Sequence, residues 1–123
     1  IQALIGRFNR GPGGKLLSKP GLRGLAHITG GGFVDNIPRV LPAKCDVQVL
    51  RGSWEVPPIF RLIQELGRVP DSEMYQVFNM GVGMVLLVAE EQADAMVRFL
   101  KSRRQPAWIV GEIVKGTGRA LMV

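Results

Sequence analysis

The residues best placed for chemistry are His27-Ile28-Thr29-Gly30-Gly31-Gly32, an imidazole and a hydroxyl two positions apart that run into three consecutive glycines. In an extended segment alternate residues share a face, so His27 and Thr29 point one way and Ile28 the other. The glycines admit positive φ and let a ligand approach main-chain N–H groups. The amphipathic run behind them, with Ile37, Val40 and Leu41 near helical spacing, starts a helix whose N-terminus favours an anion. The stretch reads as strand, glycine turn and helix start, and it serves either as an anion or phosphate cradle or simply as a tight turn. His27 is then an acid or base in the first case and a hydrogen-bonded structural ring in the second. Asn36 and Arg39 stand within reach of a phosphate, with a surface ion pair as the other use of Arg39. A second glycine turn, Asn79-Met80-Gly81-Val82-Gly83, also presents backbone donors. It precedes a strand, whereas a dinucleotide-binding turn follows one. Residues alone give a half-site for phosphate or a small anion, built from His27, Thr29, residues 30–32 and the 79–83 turn, which another polypeptide segment must complete.

Other chemistries have less to work with. The single cysteine, Cys45, excludes an internal disulfide, and with one histidine in the chain neither a zinc cluster nor an activated thiol nucleophile is well supplied. Cys45 reads as a partly buried free thiol in a loop, which suits a reducing, cytoplasmic setting. The ten carboxylates serve as caps, dipole partners or surface charges, and no pair is spaced for acid/base work. Gly13-Gly14-Lys15 lacks the spacing and hydroxyl of a nucleotide loop. No apolar run approaches the ~20 residues of a membrane span, and the start of the chain lacks the pattern of a signal peptide. The net charge of +6 is uneven: the first 23 residues hold five basic and no acidic side chains, and the remainder holds eleven basic and ten acidic. The near-neutral body argues against nucleic acid as a partner.

The elements that must position the two turns follow from periodicity. Ile1, Leu4, Ile5 and Phe8 give one face of a short helix, followed by a basic, glycine-rich stretch that reads as a solvated tail. Residues 46–50 alternate as a half-buried strand. Pro57-Pro58 opens a helix whose stripe is Ile59, Leu62, Ile63 and Leu66, with Trp54 as a core anchor or a stacking platform at its entrance. Asp71-Ser72 caps the next helix. Residues 85–89 form a strand buried on both faces, residues 90–104 a helix charged to match its dipole, and residues 108–114 a strand on which the closing strand, 119–123, pairs back. The order predicts an α+β fold, a layered α/β domain with a mixed sheet flanked by helices around a single core.

Three blocks carry a resemblance: residues 25–42, residues 52–64 from Gly52-Ser53-Trp54-Glu55-Val56-Pro57-Pro58, and residues 73–84 with Phe78-Asn79-Met80-Gly81-Val82-Gly83-Met84. In order and spacing they resemble the C-terminal region of the aminoimidazole ribonucleotide (AIR) synthetase family, the phosphoribosylformylglycinamidine cyclo-ligases, and the likeness continues through residues 107–112. It divides the chain into a basic leading segment, 1–22, that does not match the family and an incomplete AIR synthetase C-terminal-like domain, 23–123. The resemblance implies an ATP-dependent, magnesium-assisted ring closure in purine biosynthesis, in which formylglycinamidine ribonucleotide becomes aminoimidazole ribonucleotide. It further implies a ribonucleotide phosphate substrate, a homodimer and an N-terminal ATP-binding domain outside this chain, so the fragment alone is expected to be inactive. Carried over by position, His27 is the catalytic candidate, and Thr29, Gly30, Gly31, Gly32, Asn79, Gly81 and Gly83 are the substrate- or phosphate-binding candidates, with no metal ligands. The alternatives are a related ATP-using synthetase of the same superfamily, a non-catalytic phosphate- or nucleic-acid-binding module using residues 7–23, and a scaffold whose glycine turns are only turns.

Overall fold

A computed structural model describes all residues from Ile1 to Val123. Where a single core is expected, the chain forms two compact units, Ile1–Leu25 with Leu86–Ile109 and Ala26–Val85 with Val110–Val123. Two strands, β1 (Leu22–His27) and β3 (Met84–Val88), contribute residues to both and make a two-stranded sheet.

The first unit is organised by α1 (Gln2–Phe8) and α5 (Ala93–Ser102). The apolar spacing read from the sequence puts Leu4 and Phe8 of α1 into a cluster with Leu22 and Met96, and Phe8 meets Phe99 edge to face at 5.7 Å. Burying a leucine or phenylalanine in this way is worth about 1.5–3 kcal/mol each. The glycine-rich stretch is tied down as well. Asn9 donates from Nδ2 to the Leu22 carbonyl at 2.7 Å and accepts the Leu22 N–H at Oδ1 at 2.8 Å, while the Gly21 N–H donates to the Phe8 carbonyl. The stretch is solvated as expected, residues 12–19 being exposed, but it is a loop anchored at both ends and not a free tail, because the buried face of α1 and the two-way Asn9 bond hold it to β1.

The second unit carries a three-stranded mixed sheet with β2 (Cys45–Val49) in the middle. β4 (Gly111–Lys115) pairs antiparallel with β2, and β5 (Ala120–Met122) pairs parallel with it, Val47 opposite both Ile113 and Ala120. The expected return of the last strand onto its predecessor does not occur. Asp46, buried at the head of β2, accepts the N–H groups of Thr117 and Arg119 at 2.7 and 2.8 Å, and this draws the connection across the end of β2. Cys45 is the first residue of β2 and not part of a loop.

α2 (Gly32–Asn36), with a 3-10 turn at Ile37–Val40, packs on β5 of this sheet and on α4 (Asp71–Val77), and α4 in turn meets α3 (Pro58–Gly67). Phe33, Ile37, Val49 and Met74 are fully buried in the core of the unit. Pro70, not Asp71 or Ser72, is the N-cap of α4, and no side chain caps it. Asp71 sits in the first helical turn, where its charge suits the dipole, and pairs with Arg51 at 2.7 Å. The apolar stripe of α3 is open to solvent, Leu66 being 78% exposed. Strand β3 alternates, with Val85 and Leu87 buried and Leu86 and Val88 half-buried, so its two faces are covered unequally. No helix is long and apolar enough to cross a membrane.

Candidate functional site

All eight candidate residues fall in the second unit. His27 ends β1 and is exposed, Ile28 is 1% exposed, and Thr29 and Gly30 are exposed again, as the alternation requires. Gly31 (φ 93°) and Gly32 (φ 56°) are left-handed, the region that favours glycine. Gly32 has a second reason to be glycine, since a Cβ there would run into the Tyr75 carbonyl oxygen. Its N–H donates to the Thr29 carbonyl at 3.0 Å and closes the turn.

The second corner is built differently. Asn79 accepts the Gly81 N–H at its side-chain oxygen, 3.0 Å, and the Val82 N–H at its carbonyl, 2.9 Å, an Asx-type turn. Met80 (φ 49°) and Gly81 (φ 92°) are left-handed, and the Met80 carbonyl accepts the Trp54 indole N–H at 2.9 Å. Gly83 is exposed, and its carbonyl accepts the N–H of Ile28 at 3.0 Å. That bond joins the corners, since Thr29 follows its donor and the 79–83 turn ends at its acceptor.

The helix behind the first corner offers an anion little. α2 has only five residues, and so few aligned peptides give it little dipole to offer a ligand. Asn36 is not directed at a ligand either: it is buried, and its Nδ2 donates to the carbonyl of Gly32 at 2.8 Å and reaches those of Gly30 and Thr29 at 3.2 and 3.4 Å. Those bonds hold the carbonyls of the first corner inward. The N–H groups of Gly32 and Gly81 are likewise engaged within their own turns, so both glycines shape the corners.

The family model described as AIR synthase related protein, C-terminal domain, matches residues 14–123. The chain belongs to that family. The match starts ahead of residue 23, where the motif blocks placed the domain. The chain is 51% identical to the phosphoribosylformylglycinamidine cyclo-ligase of Bacillus cytotoxicus over 106 residues, 86% of this chain and 30% of the relative. It is 51% identical to that of Caldicellulosiruptor bescii over 102 residues, 83% of the chain and 30% of the relative. It is 43% identical to that of Geobacillus thermodenitrificans over 118 residues, 96% of the chain and 31% of the relative. The chain therefore spans about 30% of the length of the curated relatives it matches.

Within this AIR synthase C-terminal domain, two supports of the corners are not apparent from motif reading. The Trp54 indole ties the second of the three blocks to the third, with its ring 5.3 Å from Phe33 and 6.2 Å from Tyr75. An Asn four residues after Gly32, at helical spacing, is the signal that could have revealed the role of Asn36. A cleft of about 350 Å³ adjoins the second corner, where Trp54, Arg61, Asp71, Tyr75 and Met80 are among its lining residues, and His27 and Thr29 lie outside it. Burial and then the Asp71 carboxylate push the Tyr75 phenol above its ordinary value, with Arg51, 5.2 Å over the ring, opposing them.

Proposed function

We propose that the chain is part of an ATP-dependent cyclo-ligase that closes the imidazole ring of formylglycinamidine ribonucleotide to give aminoimidazole ribonucleotide in purine biosynthesis. The observation that carries this reading is the bond from the Ile28 N–H to the Gly83 carbonyl, which sets the two glycine corners side by side in a chain whose relatives are named as cyclo-ligases. Thr29 and the backbone of residues 30–32 form the phosphate-facing wall, with Gly31 and Gly32 setting its curvature. Asn79, Gly81 and Gly83 form the facing wall. His27, exposed at the end of β1, holds or passes a proton at its ring as the ring-closing nitrogen attacks the formyl carbon.

ATP supplies the phosphoryl group that turns the formyl oxygen into a leaving group. No cluster of three or more His, Cys, Asp or Glu residues in the chain fits a metal ion, so magnesium is assigned to the rest of the parent protein and to the nucleotide. The parent works as a homodimer in the cytoplasm, and the ATP-binding domain lies in the part of the relatives that this chain does not span. Positioning and charge neutralisation do most of the work in such phosphoryl transfer, which suits a wall made of backbone and hydroxyl groups.

The test joins this chain to the remainder of a full-length relative and measures ATP-dependent formation of aminoimidazole ribonucleotide. Thr29→Ala and His27→Asn are expected to lower kcat/KM at least tenfold, because both side chains are exposed beside the first corner. Undiminished activity in both variants would remove the assignment.

A further inference from the structure

The net charge of the chain lies wholly in its first unit. That unit holds nine basic and three acidic side chains, while the second holds seven of each. Two of those bases meet at one concavity, a cleft of about 470 Å³ lined by Arg7, Phe8, Ala95, Arg98, Phe99 and Ser102. Arg7 reaches it from α1 with its guanidinium carbon 5.9 Å from the centroids of both Phe8 and Phe99, and Arg103 lies 4.6 Å over Phe99. A guanidinium held against an aromatic ring keeps its N–H fork free at the edge, in the geometry that matches a phosphate. Both ion pairs of the chain, Arg51 with Asp71 and Arg119 with Asp46, lie in the second unit. Bases in the last turn of a helix ordinarily serve its dipole, and that accounts for Lys101 and Arg103. It also covers Arg7, in the last turn of α1, but it does not account for Arg98, in the middle of α5, for the meeting of Arg7 and Arg98 from two helices at one cleft, or for the aromatic rings beneath Arg7 and Arg103.

We propose that the cleft between α1 and α5 is a binding site for a small phosphate-bearing anion, with Arg7 and Arg98 as its ligands, Arg103 adding charge from its seat on Phe99, and Phe8 and Phe99 as their support. The site is separate from the glycine corners, and its test does not depend on their role. Arg7 and Arg98 line one concavity from two helices, with Arg103 seated on the ring of the lining Phe99, instead of forming a stripe, which favours a compact diphosphate-sized group over a nucleic-acid backbone.

Calorimetric titration of the 123-residue chain with inorganic pyrophosphate at low ionic strength is expected to show one saturable site that weakens as salt is added. Affinity should fall at least tenfold in the double variant Arg7→Gln/Arg98→Gln and should be unchanged in Arg61→Gln, a basic residue of the second unit. If the double variant loses helical signal, Arg98→Gln alone decides: its side chain is exposed, and a threefold or greater loss is expected. No saturable heat, or equal affinity in wild type and Arg98→Gln, overturns the proposal. So does binding of an oligothymidylate by a protein that ignores pyrophosphate, since the cleft would then be part of a nucleic-acid surface.

Discussion

Ile28 donates its backbone N–H to the carbonyl of Gly83 at 3.0 Å, so a turn that starts at Thr29 and a turn that ends at Gly83 share one hydrogen bond. Fifty-odd residues of sequence separate them, and the pairing of β1 with β3 removes that separation. The shape of either corner is therefore sensitive to what holds the other, and the first corner rests on Gly32 against the Tyr75 carbonyl.

Gly32→Ala should be costly where Gly30→Ala is not. The first puts a Cβ at positive φ and into the Tyr75 oxygen, and a loss of about 2–4 kcal/mol is expected from strain and overpacking together. The second faces open space, and a change within ~0.5 kcal/mol is expected. Urea denaturation of the two variants makes the comparison, and equal midpoints would contradict it.

Asn36→Leu keeps most of the side-chain volume and removes the amide that serves the carbonyls of Gly32, Gly30 and Thr29. With the Gly30 and Gly32 carbonyls losing that donor in a partly buried setting and the Thr29 carbonyl keeping only the Gly32 N–H, a loss of about 1–3 kcal/mol is expected. Hydrogen exchange at residues 29–32 should accelerate in the variant more than exchange in β2.

Trp54→Phe removes the N–H that reaches the Met80 carbonyl while keeping an aromatic ring between Phe33 and Tyr75. The expected loss is about 1–2 kcal/mol. The other tryptophan, Trp108, is 42% exposed, so the folded variant should emit as an exposed indole, red-shifted from the wild type. An unshifted spectrum would mean that Trp54 is not the buried emitter.

Asp46 predicts an acid-sensitive turn. Hydrogen bonds from the backbone N–H groups of Arg119 and Thr117 hold its carboxyl below the ordinary value, against the opposing effect of burial and with help from the Arg119 charge. A carboxylate whose folded pKa is depressed contributes stability that is full above its unfolded pKa, about 4, and that disappears as pH falls through the folded value. The wild type should lose more of its urea midpoint between pH 5 and pH 3 than Asp46→Asn, which should already be weaker at pH 7. Parallel pH profiles for the two proteins would refute this role.

The order of strands and helices from β1 to β5 was legible because period and breakers are local: alternation at residues 46–50, a proline pair before α3 and the charge gradient of α5. Coverage and pairing were not legible. The spacing of Ile59, Leu62 and Leu66 says that they share a face, but whether another element covers it depends on the rest of the molecule. The partner of β5 was missed because proximity in sequence favours a return onto β4, whereas a buried carboxylate 73 positions away from Arg119 decides otherwise. At the first corner, the exposure of His27 and Thr29 on either side of buried Ile28 could be read from alternation, but the use of Asn36 could not, since a polar side chain beside a glycine turn looks the same whether it faces ligand or backbone.

The placement of β5 matters for how the protein fails. Three residues, Ala120–Met122, cover one side of β2 along Val47–Val49. If Asp46 lets go of the connection, or if the chain is cut between β4 and β5, β2 is left with a row of unsatisfied N–H and C=O groups beside the apolar side chains of Val47 and Val49, an edge that templates the addition of strands from other molecules. Acid or proteolysis would then be expected to cause aggregation before gross unfolding, with the clasp around Asp46 acting as the safeguard against it.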